Sequence, residues 1–375
     1  MESQRHLFDI PAHVTYLNAA YLGPRLHSVG RAGEEALART AQPWTISPPD
    51  FFSDAEVARE RFAQLVGGDA EGVAIVPAVS YGIATAAKNL AIPRGGKVVV
   101  LAEQFPSNVY EWHHAAERSG GAVVTVPRPV DRSWTDAVLE LIGEDTAIVA
   151  VPNCHWTDGT VADLVRVGEA ARSVGAALVV DVTQSLGARP LDVAAVQPDW
   201  LVVAAYKWML GPFSLGYSWV APRWRDGEPL ERNWLTRAGA EDFTGLVRYT
   251  DDFAPGARRY DMGERANFHL MPMGIAALDQ LLAWGAAEVE AYIGALTDLI
   301  ADGATNLGWE VASREHRSRH MLGLRRAGGV PDKLTDLLAE ADVYVSVRGD
   351  SIRVSPHVYN DADDAARLLE VLERA

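Results

Sequence analysis

Lys207 closes an apolar run, Trp200-Leu201-Val202-Val203-Ala204-Ala205-Tyr206, and stands just before the Gly211-Pro212 turn. Lysine is rarely fully buried unless it is paired or put to chemical use. Desolvation lowers an amine's pKa and makes it a better nucleophile toward a carbonyl. A second apolar run, Ala176–Val180, ends in Asp181 and is followed by Thr183 and Gln184. An acid and a lysine at the ends of two successive strands suit an aldehyde cofactor, pyridoxal 5'-phosphate (PLP). The lysine would form the Schiff base and the acid would hold the pyridinium nitrogen. Singly, both residues have ordinary readings, a solvated loop lysine and a turn or cap aspartate.

Such a site must also hold a phosphate, stack a ring and bind a carboxylate. The segment Val76-Pro77-Ala78-Val79-Ser80-Tyr81-Gly82 leads from a strand pattern into a helix pattern, Ile83–Leu90, and Ser80 is placed to cap that helix and donate to phosphate. Phe105, in Gln104-Phe105-Pro106-Ser107, falls where another strand feeds a helix, as a stacking ring or a hydrophobic staple. Arg353, inside Ile352-Arg353-Val354, is a charge in an apolar run and a candidate bidentate partner for a carboxylate. Arg265 is a second candidate.

The elements that must position these residues alternate. Strand patterns lie at Val73–Val76, Lys97–Leu101, Ala122–Val126, Ala147–Val151, Ala177–Asp181, Trp200–Ala204 and Leu215–Val220. Helical patterns separate most of them, for example Asn108–Ser119 and Val161–Val174. Strands apolar throughout imply a sheet covered on both faces, hence an α/β domain with a mainly parallel sheet. Active sites in such folds gather at the strand carboxyl ends, where Asp181 and Lys207 fall. After about residue 255 the pattern changes to one long helix over Met273–Tyr292, short strands near Tyr344–Val347 and Ser351–Val354, and a final helix from Asp361 to Glu373. The chain is expected to divide into a large α/β domain over residues 15–255 and a smaller α+β domain over 256–375 with residues 1–14.

Bulk properties narrow the class. A net charge of −16 argues against a nucleic-acid partner. No apolar run approaches the ~20 residues of a membrane span, and the first residues lack a signal-peptide core. The single cysteine, Cys154, excludes an internal disulfide framework and any multi-cysteine metal site. A cytoplasmic enzyme is expected.

In its order of motifs the chain resembles the class V aminotransferase family of fold-type-I PLP enzymes, a group that includes cysteine desulfurases, kynureninases, selenocysteine lyases and isopenicillin-epimerase-like proteins. The resemblance runs from Tyr16-Leu17-Asn18-Ala19-Ala20 through Asp181-Val182-Thr183-Gln184-Ser185 and Tyr206-Lys207 to Ile352-Arg353-Val354-Ser355 and Tyr359-Asn360. It implies that Lys207 is the Schiff-base lysine, Asp181 the partner of the pyridine nitrogen and Gln184 the hydrogen-bond partner of the cofactor's phenolic oxygen. Val79, Ser80 and Tyr206 would hold the phosphate, Phe105 would stack on the ring, and Arg353 would bind the substrate α-carboxylate. Asn267 would reach the phosphate of a partner subunit, which implies a homodimer with shared sites.

Departures from the pattern bear on the reaction. Desulfurases carry a reactive cysteine on a loop of the second domain, and this chain has none there. Cys154 reads as a buried small hydrophobe, so persulfide-forming desulfurase chemistry is not expected. Trp156 takes the place of a desulfurase asparagine near cofactor and substrate, as a pocket wall or as packing. His155 and Tyr21 are candidates on the substrate side, each with a structural alternative, and Trp44 lies in a segment that borders such sites. The expected function is a PLP enzyme acting on an amino acid or amine. A lyase (β-elimination, C–S or C–C cleavage) is favoured because Tyr206-Lys207 and Phe105-Pro106-Ser107 look kynureninase-like. Aminotransferase and epimerase are the alternatives. A non-catalytic PLP-fold binding protein is disfavoured by the presence of Lys207, Asp181 and Gln184 together. A dinucleotide-binding dehydrogenase lacks its Gly-x-Gly-x-x-Gly loop.

Overall fold

The computed structural model describes residues 1–130 and 133–375. A two-residue strand, β1 (Thr15–Tyr16), precedes seven strands that form the central sheet. These are β2 (Val73–Val76), β3 (Lys97–Leu101), β4 (Ala122–Val126), β5 (Thr146–Pro152), β6 (Ala177–Asp181), β7 (Trp200–Ala204) and β8 (Gly216–Val220). Their order is β2-β8-β7-β6-β5-β3-β4, and β8 alone runs antiparallel to its neighbours. Successive side chains of a strand point to opposite faces. Accordingly Leu178, Val180, Leu201 and Val203 pack on one face with Phe62 and Val167, while Val179, Trp200 and Val202 pack on the other with Ile83 and Trp112. Both faces are therefore dry, which is why these strands read as unbroken apolar runs.

Registration brings the chemistry to one edge. Asp181, the last residue of β6, lies opposite Pro152 of β5 and Val202 of β7. Lys207 follows three residues after β7 ends.

The remainder forms a smaller unit. Strands β9 (Glu310–Val311), β10 (Leu322–Arg325), β12 (Ser346–Arg348) and β13 (Ser351–Val354) make an antiparallel sheet, and β11 (Val343–Tyr344) pairs in parallel with β1. The strand expected near Tyr344–Val347 is thus two strands in two different sheets. The last helix, Ala362–Arg374, starts from a reciprocal cap between Asp361 and Asp364. Elements near the expected domain boundaries are shared. Met271, Leu278 and Leu281 join the core of the large sheet, whereas Leu17 packs with Leu322, Ile352 and Leu368 of the small unit.

The long helix expected over Met273–Tyr292 is two helices, Leu270–Trp284 and Ala286–Asn306, bent by 77°. The apolar periodicity continues across the break, but Gly285 between them has φ of 76°, a conformation glycine adopts without steric penalty. Among the described residues no single helix is long and apolar enough to cross a membrane.

Under the amino end of β2 lies a buried ionic cluster. Asp261 accepts the Ile75 N–H at 2.8 Å with one carboxylate oxygen, and with the other it meets both Arg59 and Arg265. All three side chains are almost wholly buried, and Arg265 also donates to the Leu235 carbonyl at 2.8 Å.

Candidate active site

Lys207 is buried, 6% exposed, and among the described residues its amine has neither a hydrogen bond nor an ion pair. It lies 5.2 Å from the Phe105 ring centre and 5.6 Å from that of Tyr206. Burial, reinforced by the charge of Arg353, pushes its pKa down from 10.5 to about 8, against the pull of Asp181. The buried Asp181 carboxylate accepts the Thr183 N–H at 3.0 Å, and desolvation raises its pKa. Each group is costly to bury alone and each lowers the other's cost.

The helix Val79–Asn89 begins nearby. Its N-cap is Ala78, which has no side chain to accept a hydrogen bond, and among the described residues the N–H groups of Val79 and Ser80 have no acceptor. Ser80 is thus not the cap expected from the sequence but an exposed residue of the first turn. Two open N–H groups and a hydroxyl at a helix N-terminus suit a phosphate. Tyr206 packs on Phe213 with ring centres 4.6 Å apart. Asn267 lies before a different helix, Leu270–Trp284, and accepts the Leu270 N–H at 3.2 Å.

Arg353 projects from β13 and is 1% exposed. One guanidinium nitrogen donates to the Trp156 carbonyl at 2.8 Å, while its other two nitrogens are buried without a partner. Burial, with the like charge of Arg348 adding to it, pushes its pKa down to about 9. Arg265 differs, because its charge is already paired with Asp261 and one of its nitrogens is left unpartnered, whereas Arg353 has two such nitrogens and no carboxylate among the described residues. Trp156 stands edge-on to Phe105, with centres 5.5 Å apart, and donates its indole N–H to the Glu103 carbonyl at 2.6 Å. Lys207, Phe105, Trp156 and Arg353 are thereby linked in one wall.

Two residues escaped the sequence reading. Arg348 has no carboxylate partner among the described residues and lies 5.7 Å from the Trp156 ring centre, beside a cavity of about 520 Å³ that also touches Glu103, Arg128, Arg325 and Asp350. Its signal was its place five residues before Arg353 in the same hairpin. Trp208 donates its indole N–H to Gln184 Oε1 at 3.0 Å. Gln184 in turn donates to the Ala20 carbonyl at 3.3 Å.

The substrate-side candidates divide. His155 is buried with both ring nitrogens engaged, Nε2 with the Ala102 carbonyl at 3.0 Å and Nδ1 with the Thr157 hydroxyl at 2.8 Å, and it stacks on Trp134. No ring nitrogen is left for a substrate, which favours its structural alternative. Tyr21 is 59% exposed and Trp44 is 79% exposed. Cys154 is fully buried, and desolvation pushes its thiol up to about 12, which disfavours the thiolate.

The residues fit PLP. A buried amine without a partner, a buried carboxylate beside it, an open helix N-terminus and an aromatic ring are what an aldehyde, a pyridine nitrogen, a phosphate and a flat ring require. The aminotransferase class-V family model matches residues 49–368. An uncharacterized aminotransferase, YcbU, of Bacillus subtilis is 26% identical over 329 residues, covering 86% of this chain and 84% of its own. Isopenicillin N epimerase of Streptomyces clavuligerus is 25% identical over 335 residues, 84% of this chain and 83% of its own. Other relatives are cysteine desulfurases. Among solved structures, a lysine-to-alanine variant of C-DES with glycine covalently linked to its PLP cofactor superposes with a TM-score of 0.89 at 18% identity, covering 99% of both chains. The match over most of the chain and the fit of Lys207 and Asp181 agree: the chain belongs to the aminotransferase class-V family of PLP-dependent, fold-type-I enzymes.

Proposed function

We propose that this enzyme is a lyase that acts on an amino acid and breaks a bond at the substrate's β-carbon, by β-elimination or by C–S or C–C cleavage. One observation carries the amino-acid part. Arg353 is a fully buried guanidinium with two unpartnered nitrogens and no carboxylate of its own, in the same wall as Lys207. A carboxylate seated there would satisfy both nitrogens and neutralise a charge whose burial is otherwise uncompensated.

PLP, held through Lys207, Asp181, Gln184 and the open turn at Val79 and Ser80, supplies an electron sink conjugated to the substrate's amine. Arg353 holds the α-carboxylate and so fixes which bond to the α-carbon faces the ring. Lys207 would anchor the cofactor's aldehyde and, as a free amine, would accept the substrate's α-proton on Nζ. With its pKa near 8 it is a base matched to neutral pH, where an ordinary lysine would be almost wholly protonated. Asp181 would face the pyridine nitrogen, and a proton held there would offset the desolvation that raises the carboxylate's pKa. Tyr206 adds a phenol to the phosphate side, and Phe105 and Trp156 exclude water from the ring.

The lyase branch is favoured by Tyr206 beside Lys207 and by Phe105-Pro106-Ser107, with Phe105 facing the lysine. We further propose that no persulfide is carried on the protein, because its one cysteine is buried and burial disfavours its thiolate. Aminotransferase or epimerase action is the alternative, since relatives carry both names. A homodimer is proposed from the exposed aromatics Tyr110, Phe213 and Tyr249, with Asn267 offered to the partner's phosphate. A cytoplasmic location is proposed from cysteine usage.

A visible spectrum with PLP, repeated for Lys207→Ala, tests the anchor. A band lost in the variant is expected. Pyruvate and ammonia from β-substituted amino acids would support the lyase; conversion of the cofactor to its amine form would overturn it in favour of transamination.

A further inference from the structure

Gln184 is held more firmly than its neighbours require. Its backbone carbonyl accepts from His320 Nε2 at 2.6 Å, and its side-chain oxygen accepts from the Trp208 indole. Trp208 is itself clamped from the small unit. His320 stands edge-on to it with centres 4.6 Å apart, and His357 stacks on it at 5.8 Å and approaches its carbonyl with Nε2 at 3.2 Å. All three rings are completely buried. His320 Nδ1 is buried without a partner, and His357 Nδ1 accepts the Val358 N–H at 2.8 Å, so in both rings the proton sits on Nε2. Burial pushes the His320 pKa down to about 3 and that of His357 to about 4, so both stay neutral.

A carboxamide can present either end to a ligand, and its orientation is set by its other partners. An indole N–H can only donate, so Gln184 must turn its oxygen toward Trp208. Its amino group then faces the Ala20 carbonyl with one N–H and, among the described residues, retains a second N–H without an acceptor. We propose that Trp208 is a positioning residue that locks Gln184 as a hydrogen-bond donor toward the cofactor's phenolic oxygen, favouring the anionic over the neutral state of that oxygen. This rests on the placement of Gln184 proposed above. Without the indole N–H only the longer contact to the Ala20 carbonyl, at 3.3 Å, opposes a turn of the amide, and a turned amide would bring its oxygen to the same spot, where it would favour a neutral hydroxyl instead.

The test is the absorption spectrum of the holoenzyme. The lysine-bound cofactor absorbs in the visible when its phenolic oxygen is ionised and in the near ultraviolet when that oxygen is a neutral hydroxyl. Trp208→Phe keeps an aromatic ring between His320 and His357 and removes only the donor. It is expected to lower the visible-to-near-ultraviolet band ratio about fivefold, the equilibrium effect of one hydrogen bond. Gln184→Ala is expected to lower the ratio similarly, and the double variant no further, because both act through one contact. A ratio unchanged in Trp208→Phe, or additive shifts in the double variant, would overturn the role of Trp208 while the wild-type visible band leaves the cofactor reading intact. A wild type with no visible band would overturn both. If Trp208→Phe proves unstable, Trp208→His, which restores a ring N–H, should recover the wild-type ratio, and failure to do so counts against the proposal.

Discussion

Two places in this molecule bury arginine, and they do so in opposite ways. Beneath β2, Arg59 and Arg265 converge on Asp261, and Glu56 adds a second acid 3.0 Å from Arg59. At the edge of β13, Arg353 and its neighbour Arg348 have no carboxylate among the described residues. With Lys207 they make three cationic groups, none of them in an ion pair among the described residues. The first arrangement holds a fold together; the second is a positive field awaiting anions. A buried charge paired within the chain is structural, because removing one partner strands the other. A buried charge left unpaired lowers stability and persists where a ligand completes it.

The sharpest way to break this comparison is Asp261→Ala. It strands two buried guanidiniums and should cost roughly 3–5 kcal/mol of folding stability, read as a large drop in the denaturant midpoint. An unchanged midpoint would mean that Asp261 is no keystone. Next comes Arg353→Met, which should leave the midpoint unchanged or raise it, while kcat/KM for an amino-acid substrate falls on the order of a hundredfold, chiefly through KM. A variant less stable than wild type but still active would place Arg353 in the structural class. The smallest effect is expected from Lys207→Met in the cofactor-free protein, a gain of roughly 1–3 kcal/mol from removing a buried, unbonded amine.

The same lysine gives the comparison a pH axis. Its folded-state pKa of about 8 lies below its ordinary 10.5. Below pH 8 both folded and unfolded chains carry the proton, and the full penalty of the buried charge is present. That penalty fades as pH rises from about 8 toward 10.5, where both states become neutral. Cofactor-free wild type should therefore lose its deficit relative to Lys207→Met over this window, measurable by denaturation at stepped pH. A deficit that grew with pH would contradict the assignment.

Much of the central sheet could be read directly. Five of its strands begin and end where the β-branched runs do; in four of them burial on both faces removes the need for polar alternation, as in fully buried Val73–Val76, while the edge strand Ala122–Val126 is exposed or half-buried except at Val126. The lysine and acid were legible for the same reason, since a charge ending such a run stands out. Three things were not. The break at Gly285 was hidden by apolar periodicity on both sides of it, although the glycine itself was in view. The helix start at Val79 rather than Ile83 was missed because its N-cap, Ala78, offers no capping side chain. The links from Arg59 to Asp261 and from Trp208 to Gln184 join residues up to 202 positions apart, a separation no local pattern encodes.

The buried thiol has a practical consequence. Because Cys154 is the chain's sole cysteine and is sealed among apolar side chains, the folded protein presents no reactive sulfur to the outside. A cysteine introduced at the exposed Val347, next to Arg348 in β12, would be the single site taken by a thiol-directed dye. Fluorescence from that position would follow cofactor and substrate entry in real time, without any background label to subtract.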